Sequence, residues 1–166
     1  MNILVTGGAG FIGSHVVDKY IEAGHRVWVI DNLSTGSEGN INPHAEFIRL
    51  DVADPQISDL LEKIKPQIVN HHAAQISVPI SVKDPIKDAE TNVIGLLNLL
   101  EACVKIKAEK FILISSGGAV YGEAEEYPTT ESYEPWPLSP YAIHKFLGEK
   151  YLYYYRHQFG LKYTVL

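Results

Sequence analysis

Short, almost continuously apolar segments alternate with helical patterns along this chain, and this alternation limits the folds that it can adopt. Because nearly every position in these segments is apolar, both faces of each strand should be covered, as in a parallel sheet. Parallel neighbours need helical crossovers, which predicts an α/β fold with a doubly wound parallel sheet. The predicted strands are Asn2–Thr6, Arg26–Asp31, Glu46–Leu50, Gln67–His71, Lys110–Ser115 and Lys162–Leu166.

Helical patterns occupy the intervals between the strands, and no repeat or linker divides them, so residues 1–166 are predicted to be one domain. The acidic, proline-rich segment 122–140 is expected to be a long surface loop. The chain stops inside its sixth apolar segment, so we expect the N-terminal portion of a longer protein, truncated in the sixth strand. The predicted helices are Phe11–Ala23, Ile57–Ile64, Ala89–Lys107 and Tyr141–Phe159.

Composition and charge argue against several classes of function. The 166 residues carry a formal net charge of −6, which disfavours a nucleic-acid partner. No apolar run approaches the ~20 residues of a membrane span, and no Lys/Arg run suggests a membrane surface. Cys103 is the only cysteine, so no internal disulfide can form, which fits a reducing compartment. We therefore expect a soluble, cytoplasmic protein.

The segment TGGAGFIG, residues 6–13, joins the first strand to the first helix. Gly8, Gly10 and Gly13 fit G-x-G-x-x-G, while Gly7, Gly10 and Gly13 fit the looser G-x-x-G-x-x-G. Such glycines allow a tight turn and close approach of the backbone to a pyrophosphate, to which the helix N-terminus offers free N–H groups. Between a strand and a helix they predict a dinucleotide site in a Rossmann-like domain. The alternative is a glycine-rich packing turn.

Aspartates stand at the ends of the second and third strands. Asp31 lies 18 residues after Gly13, where a carboxylate accepts hydrogen bonds from ribose hydroxyls and repels a 2′-phosphate. This position favours NAD over NADP, and capping of the DNLSTG turn is the alternative role. Asp51 could accept from an adenine amino group or cap a helix, and the residues leave both roles open.

The segment NHHAAQ, residues 70–75, ends the fourth strand at the switch point where doubly wound sheets bind ligands. Ala73 and Ala74 are small enough to let the backbone pass close to a cofactor. His71 and His72 are neighbours on a strand, so they should point to opposite faces, and no third ligand stands at metal spacing. We predict no metal site.

The segment SPYAIHK, residues 139–145, places Tyr141 and Lys145 on one face of a helix. A phenol with an ordinary pKa near 10 is a poor base, and bringing such a pKa to about 7 takes roughly 4 kcal/mol. One ammonium at about 4 Å supplies roughly that energy at an effective dielectric of about 20. The pair therefore predicts a proton-transfer group, with a packed tyrosine beside an exposed lysine as the alternative.

The segment SSGGAVYG, residues 115–122, follows the fifth strand, close to the expected place of Tyr141. A hydroxyl group there could hydrogen-bond a substrate oxygen and share its proton with the phenolate. Ser116 is the first candidate and Ser115 the alternate. A serine that only shapes the turn is the competing interpretation.

With these residues placed, the chain resembles the extended branch of the short-chain dehydrogenase/reductase superfamily, and within it the NAD-dependent sugar-nucleotide epimerases. The segments MNILVTGGAGFIGSH, DNLSTG, HHAAQISV, TNVIGLLNLLEA, SSGGAVYGE and SPYAIHK occur in family order. The resemblance implies epimerisation at C4 of a UDP-hexose, UDP-glucose or UDP-galactose, through a 4-keto intermediate. It implies Tyr141 and Lys145 as the catalytic couple, assisted by Ser116, with Lys145 also holding the nicotinamide ribose.

The resemblance also implies a homodimer through residues 89–107 and 141–159, because family members often pair through these two helices. Family members continue into a C-terminal substrate domain, which is absent here, so this chain alone is expected to be inactive. The implied NAD contacts are Gly7, Gly10, Phe11, Ile12, Gly13, Asp31, Asn32, Leu33, Ser34, Thr35, Gly36, Asp51, Val52, His72, Ala73, Ala74, Gln75, Asn92, Tyr141 and Lys145.

Departures from the family pattern bear on the site and on the reaction. The family's hydroxyl residue lies four positions before the tyrosine of VYG, where this chain has Gly117, with Ser116 one residue earlier. Ile76 stands where some epimerases have a cofactor-contacting lysine. Gly117 and Gly118 replace the Asp-Glu pair of related dehydratases, and Ala119 replaces the glutamate of related decarboxylases, which disfavours both reactions.

Two alternatives stay open after these comparisons of motifs. One is another NAD-dependent sugar-nucleotide oxidoreductase, or an epimerase that acts on a different sugar. The other is a non-catalytic NAD-binding domain.

Overall fold

The fold is built on one six-stranded parallel sheet, seen in a computed structural model that describes residues 1–166. The strand order is β3-β2-β1-β4-β5-β6, and every neighbouring pair is parallel. The doubly wound α/β sheet is therefore confirmed, with predicted strand ends trimmed by one or two residues. The strands are β1 Asn2–Thr6, β2 Arg26–Asp31, β3 Glu46–Arg49, β4 Ile68–His71, β5 Lys110–Leu113 and β6 Tyr163–Val165.

Seven α-helices connect the strands, and three of the four longest follow the predicted ones closely. A short 3₁₀ helix, Glu38–Asn40, lies between β2 and β3. No helix is both long and apolar enough to cross a membrane. The helices are α1 Phe11–Glu22, α2 Gln56–Ile64, α3 Val78–Lys83, α4 Pro85–Ala89, α5 Gly95–Ile106, α6 Gly117–Val120 and α7 Pro140–Phe159.

The region predicted as one helix over residues 89–107 is not uniform. A π-helical segment, Glu90–Ile94, joins the end of α4 to α5. The helices α3 and α4 were not predicted, because elements of six and five residues are too short to show a hydrophobic period. Their capping residues were nevertheless visible in the sequence, since Ser77 and Asp84 each cap a helix whose first turn contains proline.

Both faces of the sheet are covered by packed side chains, as the apolar strands predicted. In β1, Leu4 belongs to the core on one face, together with Phe111 and with Leu100 of α5. Ile3 and Val5 belong to a second core on the opposite face, which α1 covers. Because the strands are parallel, their carboxyl ends meet at one edge of the sheet, and the candidate residues gather there.

The expected surface loop is present between α6 and α7, where residues 121–139 form neither helix nor strand. Cys103 is a fully buried core thiol, and burial raises the pKa of this thiol far above its ordinary value.

Candidate dinucleotide and catalytic site

A cavity of about 610 Å³ opens at the carboxyl ends of the strands. The glycine turn, the ends of the central strands and the first turns of α7 form its walls, although they lie far apart in sequence. The predicted site residues that line it are Gly7, Gly10, Phe11, Ile12, Gly13, Asp31, Asn32, Ser34, Thr35, Asp51, Val52, His72, Ala73, Ala74, Tyr141 and Lys145.

Five predicted residues do not line this cavity. Leu33 donates its backbone N–H to Asp31, and Gly36 packs against Ala9. The side chains of Gln75 and Asn92 are engaged in hydrogen bonds within the protein. Ser116 is the fifth. Ser115, the alternate candidate for the hydroxyl role, also lines the cavity, and the lining residues that were not predicted are Ile30, Leu50, Ile76, Thr91 and Ile114.

The additional lining residues had weak signals in the sequence. Ile30 and Leu50 directly precede the predicted aspartates, and Thr91 directly precedes Asn92. Residues such as Ile30 and Leu50 line the cavity because of their place at a strand end, and nothing in their residue type indicates a binding role. Thr91 lies on the π-helical segment, and π segments inside helices often occur at functional sites.

At two positions of the glycine turn, a side chain would clash with the backbone. Gly7 has a φ of +70°, and a Cβ atom there would lie 2.6 Å from the backbone nitrogen of Ala73. A Cβ atom on Gly13 would lie 2.2 Å from the carbonyl oxygen of Gly7. Gly10 differs, because its φ of −79° suits any residue and its nearest contact would be Gly7 O at 3.2 Å. The first turn of α1 has no side-chain cap, so its N–H groups keep their donor capacity.

Asp31 makes the turn-capping contact that the sequence offered as one of its two roles, and its contact with a ribose stays a prediction. Its Oδ1 accepts from the N–H of Leu33 at 2.8 Å, which caps the turn, and its Oδ2 accepts from the N–H of Ala9 at 3.0 Å. The carboxylate therefore fixes the glycine turn to the end of β2 and also lines the cavity. Each carboxylate oxygen has further lone pairs with which to accept from a ligand.

Asp51 fixes two neighbouring segments of the wall. Its Oδ1 accepts from the N–H of Ala53 at 2.8 Å, which caps the turn before α2. Its Oδ2 accepts from Nδ2 of Asn32 at 2.7 Å. Asp51 therefore stabilises the turn before α2 and does not cap the helix itself, whose N-cap residue is Pro55. Contact with an adenine stays a prediction.

Tyr141 and Lys145 lie together in the first two turns of α7. Ser139 caps this helix, and the N–H of Tyr141 donates to Oγ of Ser81 at 3.2 Å. Lys145 Nζ lies 5.8 Å from the ring centre of Tyr141 and donates to the carbonyl oxygen of Ile114 at 2.9 Å. Lys145 is only 8% exposed, so the alternative of a packed tyrosine beside an exposed lysine is wrong.

Burial and the carboxylate of Asp88 have opposite effects on the pKa of Lys145. Burial lowers the pKa of Lys145 to about 8, while the negative charge of Asp88 acts in the opposite direction. With a pKa of about 8, the side chain is mostly an ammonium at neutral pH and stands close to its titration point. Such a group can respond to small changes in its surroundings.

The two candidate serines occupy different environments. Ser115 lines the cavity, and its hydroxyl donates to Oε1 of Glu149 on α7. Ser116 is the N-cap residue of α6, and its side chain makes no capping hydrogen bond. The hydroxyl that faces the cavity therefore has its proton engaged, while the hydroxyl of Ser116 is uncommitted. Which serine assists the chemistry stays a prediction.

His71 is buried and His72 is half-buried near Lys145, and both are held in neutral form. Nδ1 of His71 lies 2.7 Å from Oγ1 of Thr6, and burial, reinforced by the charge of Lys145, lowers the pKa of His71 to about 3. Burial, with the same charge, lowers the pKa of His72 to about 4. His72 lines the cavity, and its Nε2 is buried without a partner in the chain. No group of three or more His, Cys, Asp or Glu side chains is arranged to hold a metal ion.

The buried His71 should make the protein sensitive to mild acid. Because the pKa of His71 is lowered to about 3 in the folded state, only the unfolded chain takes up its proton as the pH falls below about 6.5. The free energy of unfolding should therefore fall by about 1.4 kcal/mol per pH unit for this group. Urea unfolding between pH 7 and pH 5 measures the slope, which His71→Asn should reduce.

The matched control is His44→Asn, because His44 is exposed. This variant should keep the slope of the unmodified protein. Parallel stability curves for His71→Asn and the unmodified protein would contradict the prediction.

The cavity lies at the carboxyl ends of a parallel sheet, beside a glycine turn and the start of a helix that has no side-chain cap. This is the architecture of a Rossmann-type dinucleotide-binding domain. Residues 3–166 match the sequence model of the family described as the NAD dependent epimerase/dehydratase family. The chain belongs to this family, as its motifs suggested.

Several relatives are similar over almost the whole chain. A UDP-glucose 4-epimerase from Mycolicibacterium smegmatis is 44% identical over 166 residues, which cover 97% of this chain and 53% of the relative. The structure of UDP-glucose 4-epimerase with UDP-glucose from Thermotoga maritima is similar to this chain with a TM-score of 0.98 and 51% sequence identity. The match covers 99% of this chain and 54% of the Thermotoga maritima chain. The Thermus thermophilus UDP-glucose 4-epimerase, in complex with NAD, has a TM-score of 0.96 at 45% identity, with coverage of 99% and 54%.

The chain thus spans about half the length of the relatives that it matches.

Proposed function

We propose that the whole protein is an NAD-dependent isomerase that epimerises C4 of a UDP-hexose, interconverting UDP-glucose and UDP-galactose through a 4-keto intermediate. One observation carries this proposal: the glycine turn, Asp31 and the Tyr141–Lys145 pair surround a single cavity. The names of the similar relatives support the substrate class. Because the chain spans about half their length, the activity is proposed for the whole protein, with residues 1–166 as its NAD-binding domain.

The residues around the cavity fit a dinucleotide. Gly10 lines the cavity, and neither its backbone angles nor a severe clash explains the absence of a side chain there. A ligand that approaches this position closely would explain it. The N–H groups that open α1 would hold the pyrophosphate, Asp31 the adenosine ribose and Lys145 the nicotinamide ribose, with Ala73 and Ala74 as the small wall beside them. When bound, NAD supplies a hydride acceptor that also returns the hydride.

The chain's own groups would manage the proton. Lys145, anchored on Ile114 O, keeps a positive charge beside the Tyr141 ring. That charge favours the phenolate, which would take the proton of the sugar 4-hydroxyl and later give it back. Ser116, whose hydroxyl is uncommitted, would donate to the sugar oxygen, since the proton of Ser115 is engaged by Glu149.

A homodimer through residues 89–107 and 141–159 is also part of the proposal. Ile94, Tyr153, Tyr154 and Phe159 are apolar or aromatic side chains on these helices that are exposed in the single chain. An exposed patch of this kind is expected at a protein–protein interface. The net charge of −6 disfavours nucleic acid as the partner, and the lone buried cysteine suits the reducing cytoplasm.

The test is an assay of the whole protein with UDP-galactose, combined with titration of NAD and NADP. We expect UDP-glucose to form with no net consumption of NAD, and NAD to bind more tightly than NADP because Asp31 repels a 2′-phosphate. Binding of NAD without turnover of any sugar nucleotide would favour the non-catalytic alternative. Absence of NAD binding would contradict the whole proposal.

A further inference from the structure

A buried carboxylate outside the cavity lies where three elements meet. Asp88, on α4, has no solvent exposure. Its Oδ1 accepts from Nε2 of Gln75 at 2.5 Å, and its Oδ2 pairs with Nδ1 of His144 on α7 at 2.5 Å. Gln75 belongs to the loop after β4, so one carboxylate joins that loop to α7.

The loop side of this junction is fixed by several hydrogen bonds. The N–H of Gln75 donates to Oδ1 of Asn92 at 3.0 Å, and Nδ2 of Asn92 returns a bond to the Gln75 carbonyl at 2.9 Å. Oε1 of Gln75 accepts from the N–H of Ser77 at 2.6 Å. Ala73 and Ala74, which line the cavity, directly precede this anchored glutamine. Asp88 therefore holds the side chain of the residue that follows this part of the cavity wall.

The other side of the junction is the catalytic helix. His144 directly precedes Lys145 and follows Tyr141 by three residues, so its position fixes the rotation of the first two turns of α7. The hydroxyl of Ser81, buried on α3, accepts from the N–H of Tyr141 at 3.2 Å and holds the same helix end. Asp88 is thus the only carboxylate that bonds to both the loop and α7.

We propose that Asp88 is a positioning residue that sets the distance between the Ala73–Gln75 loop and the Tyr141–Lys145 helix. His144 is its hydrogen-bond partner on that helix. This inference rests on the proposed function. A buried carboxylate that is hydrogen-bonded through both oxygens contributes little net stability compared with apolar packing, but it does specify one geometry. Separating Asp88 from Gln75 or from His144 would leave its buried carboxylate without a partner, which is costly. This cost keeps the loop and α7 joined.

The charge of Asp88 has a second consequence at Lys145. The charged or titratable groups around Lys145 include His71 and His72 at the end of β4, Tyr141 and Glu149 on its own helix, and Asp88 on α4. Of these, Asp88 is the one that raises the pKa of Lys145 against the effect of burial. A neutral residue at position 88 should therefore make Lys145 lose its proton at lower pH.

The experiment compares Asp88→Asn with Asp84→Asn in the whole protein. Asp84 is an exposed carboxylate that caps α4, and asparagine caps nearly as well, so this variant is the matched control. For Asp88→Asn we expect kcat to fall about tenfold to a hundredfold with KM for the sugar nucleotide unchanged, because a small misplacement of reacting groups is that costly. NMR of ¹³C-methylated lysines should show Lys145 titrating at lower pH.

Each outcome decides the proposal. Wild-type kcat with unshifted Lys145 titration in Asp88→Asn overturns it, even when thermal stability falls, since a purely structural residue would behave in that way. If Asp88→Asn fails to fold, His144→Gln and His144→Ala take its place. Glutamine can still donate to Asp88, so it should retain more kcat than alanine, and equal losses overturn the proposal. If the unmodified protein turns over no sugar nucleotide, the proposed function fails, while the Lys145 titration still tests Asp88.

Discussion

Replacing Tyr141 by phenylalanine in the whole protein should lower turnover of UDP-galactose by about 10²–10⁴-fold, the range that a positioned acid–base group contributes. The change removes only the phenolic oxygen and keeps the ring beside Lys145. Because the glycine turn and Asp31 are untouched, the affinity for NAD should stay close to that of the unmodified protein. A coupled assay of UDP-glucose formation and a calorimetric NAD titration measure the two quantities separately.

Tyr127→Phe is the matched control for this experiment. Tyr127 is 82% exposed in the loop before α7 and lies outside the cavity lining, so loss of its hydroxyl should leave turnover unchanged. Full turnover in Tyr141→Phe would remove the phenol from the mechanism. Loss of NAD together with turnover would show instead that Tyr141 holds the cofactor.

The parts of this site that the sequence predicted are those set by local patterns. The G-x-x-G-x-x-G turn needs only a preceding strand and a following helix, and both were readable from apolar runs. Tyr141 and Lys145 are four residues apart on one helix, so their proximity follows from helix geometry alone. The carboxyl ends of parallel strands meet at one edge of the sheet, so the position of Asp31 beside the glycine turn could be predicted before its contact with Ala9 was seen.

The parts that the sequence did not predict depend on contacts between distant segments. Ser115 reaches Glu149 on another element, and no local signal separates it from its neighbour Ser116. Gln75 is next to residues that line the cavity, yet its side chain turns to Asp88 instead. The π-helical segment was invisible because π and α segments share the same apolar pattern, and it brings Thr91 to the cavity.

The second large effect is expected at the glycine turn, where two similar substitutions should behave differently. Gly13→Ala places a Cβ atom 2.2 Å from the carbonyl oxygen of Gly7, so the turn itself must rearrange. This variant should lose both NAD affinity and stability. Gly10→Ala meets only the same oxygen at 3.2 Å, with backbone angles that alanine adopts freely. The fold should tolerate it, with a free energy of unfolding within about 1 kcal/mol of the unmodified protein.

Gly10→Ala should nevertheless weaken NAD binding, because its methyl group would stand where the pyrophosphate approaches the start of α1. Loss of one hydrogen bond to a charged group costs about 1.5–3 kcal/mol, which corresponds to roughly a tenfold to hundredfold lower affinity. Urea unfolding without ligand and calorimetric titration of NAD separate the two effects. Gly39→Ala is the control, because a Cβ atom there would make only an ordinary contact, 3.6 Å from Oγ of Ser37.

The contrast between the two variants identifies why each glycine is present. If Gly10→Ala keeps its stability and loses NAD, the glycine at this position serves the ligand, whereas Gly13 serves the packing of the turn. Unchanged NAD affinity in Gly10→Ala would place the pyrophosphate elsewhere in the cavity. Equal losses of stability in both variants would mean that the turn is a packing device throughout, which is the alternative that the glycine pattern left open.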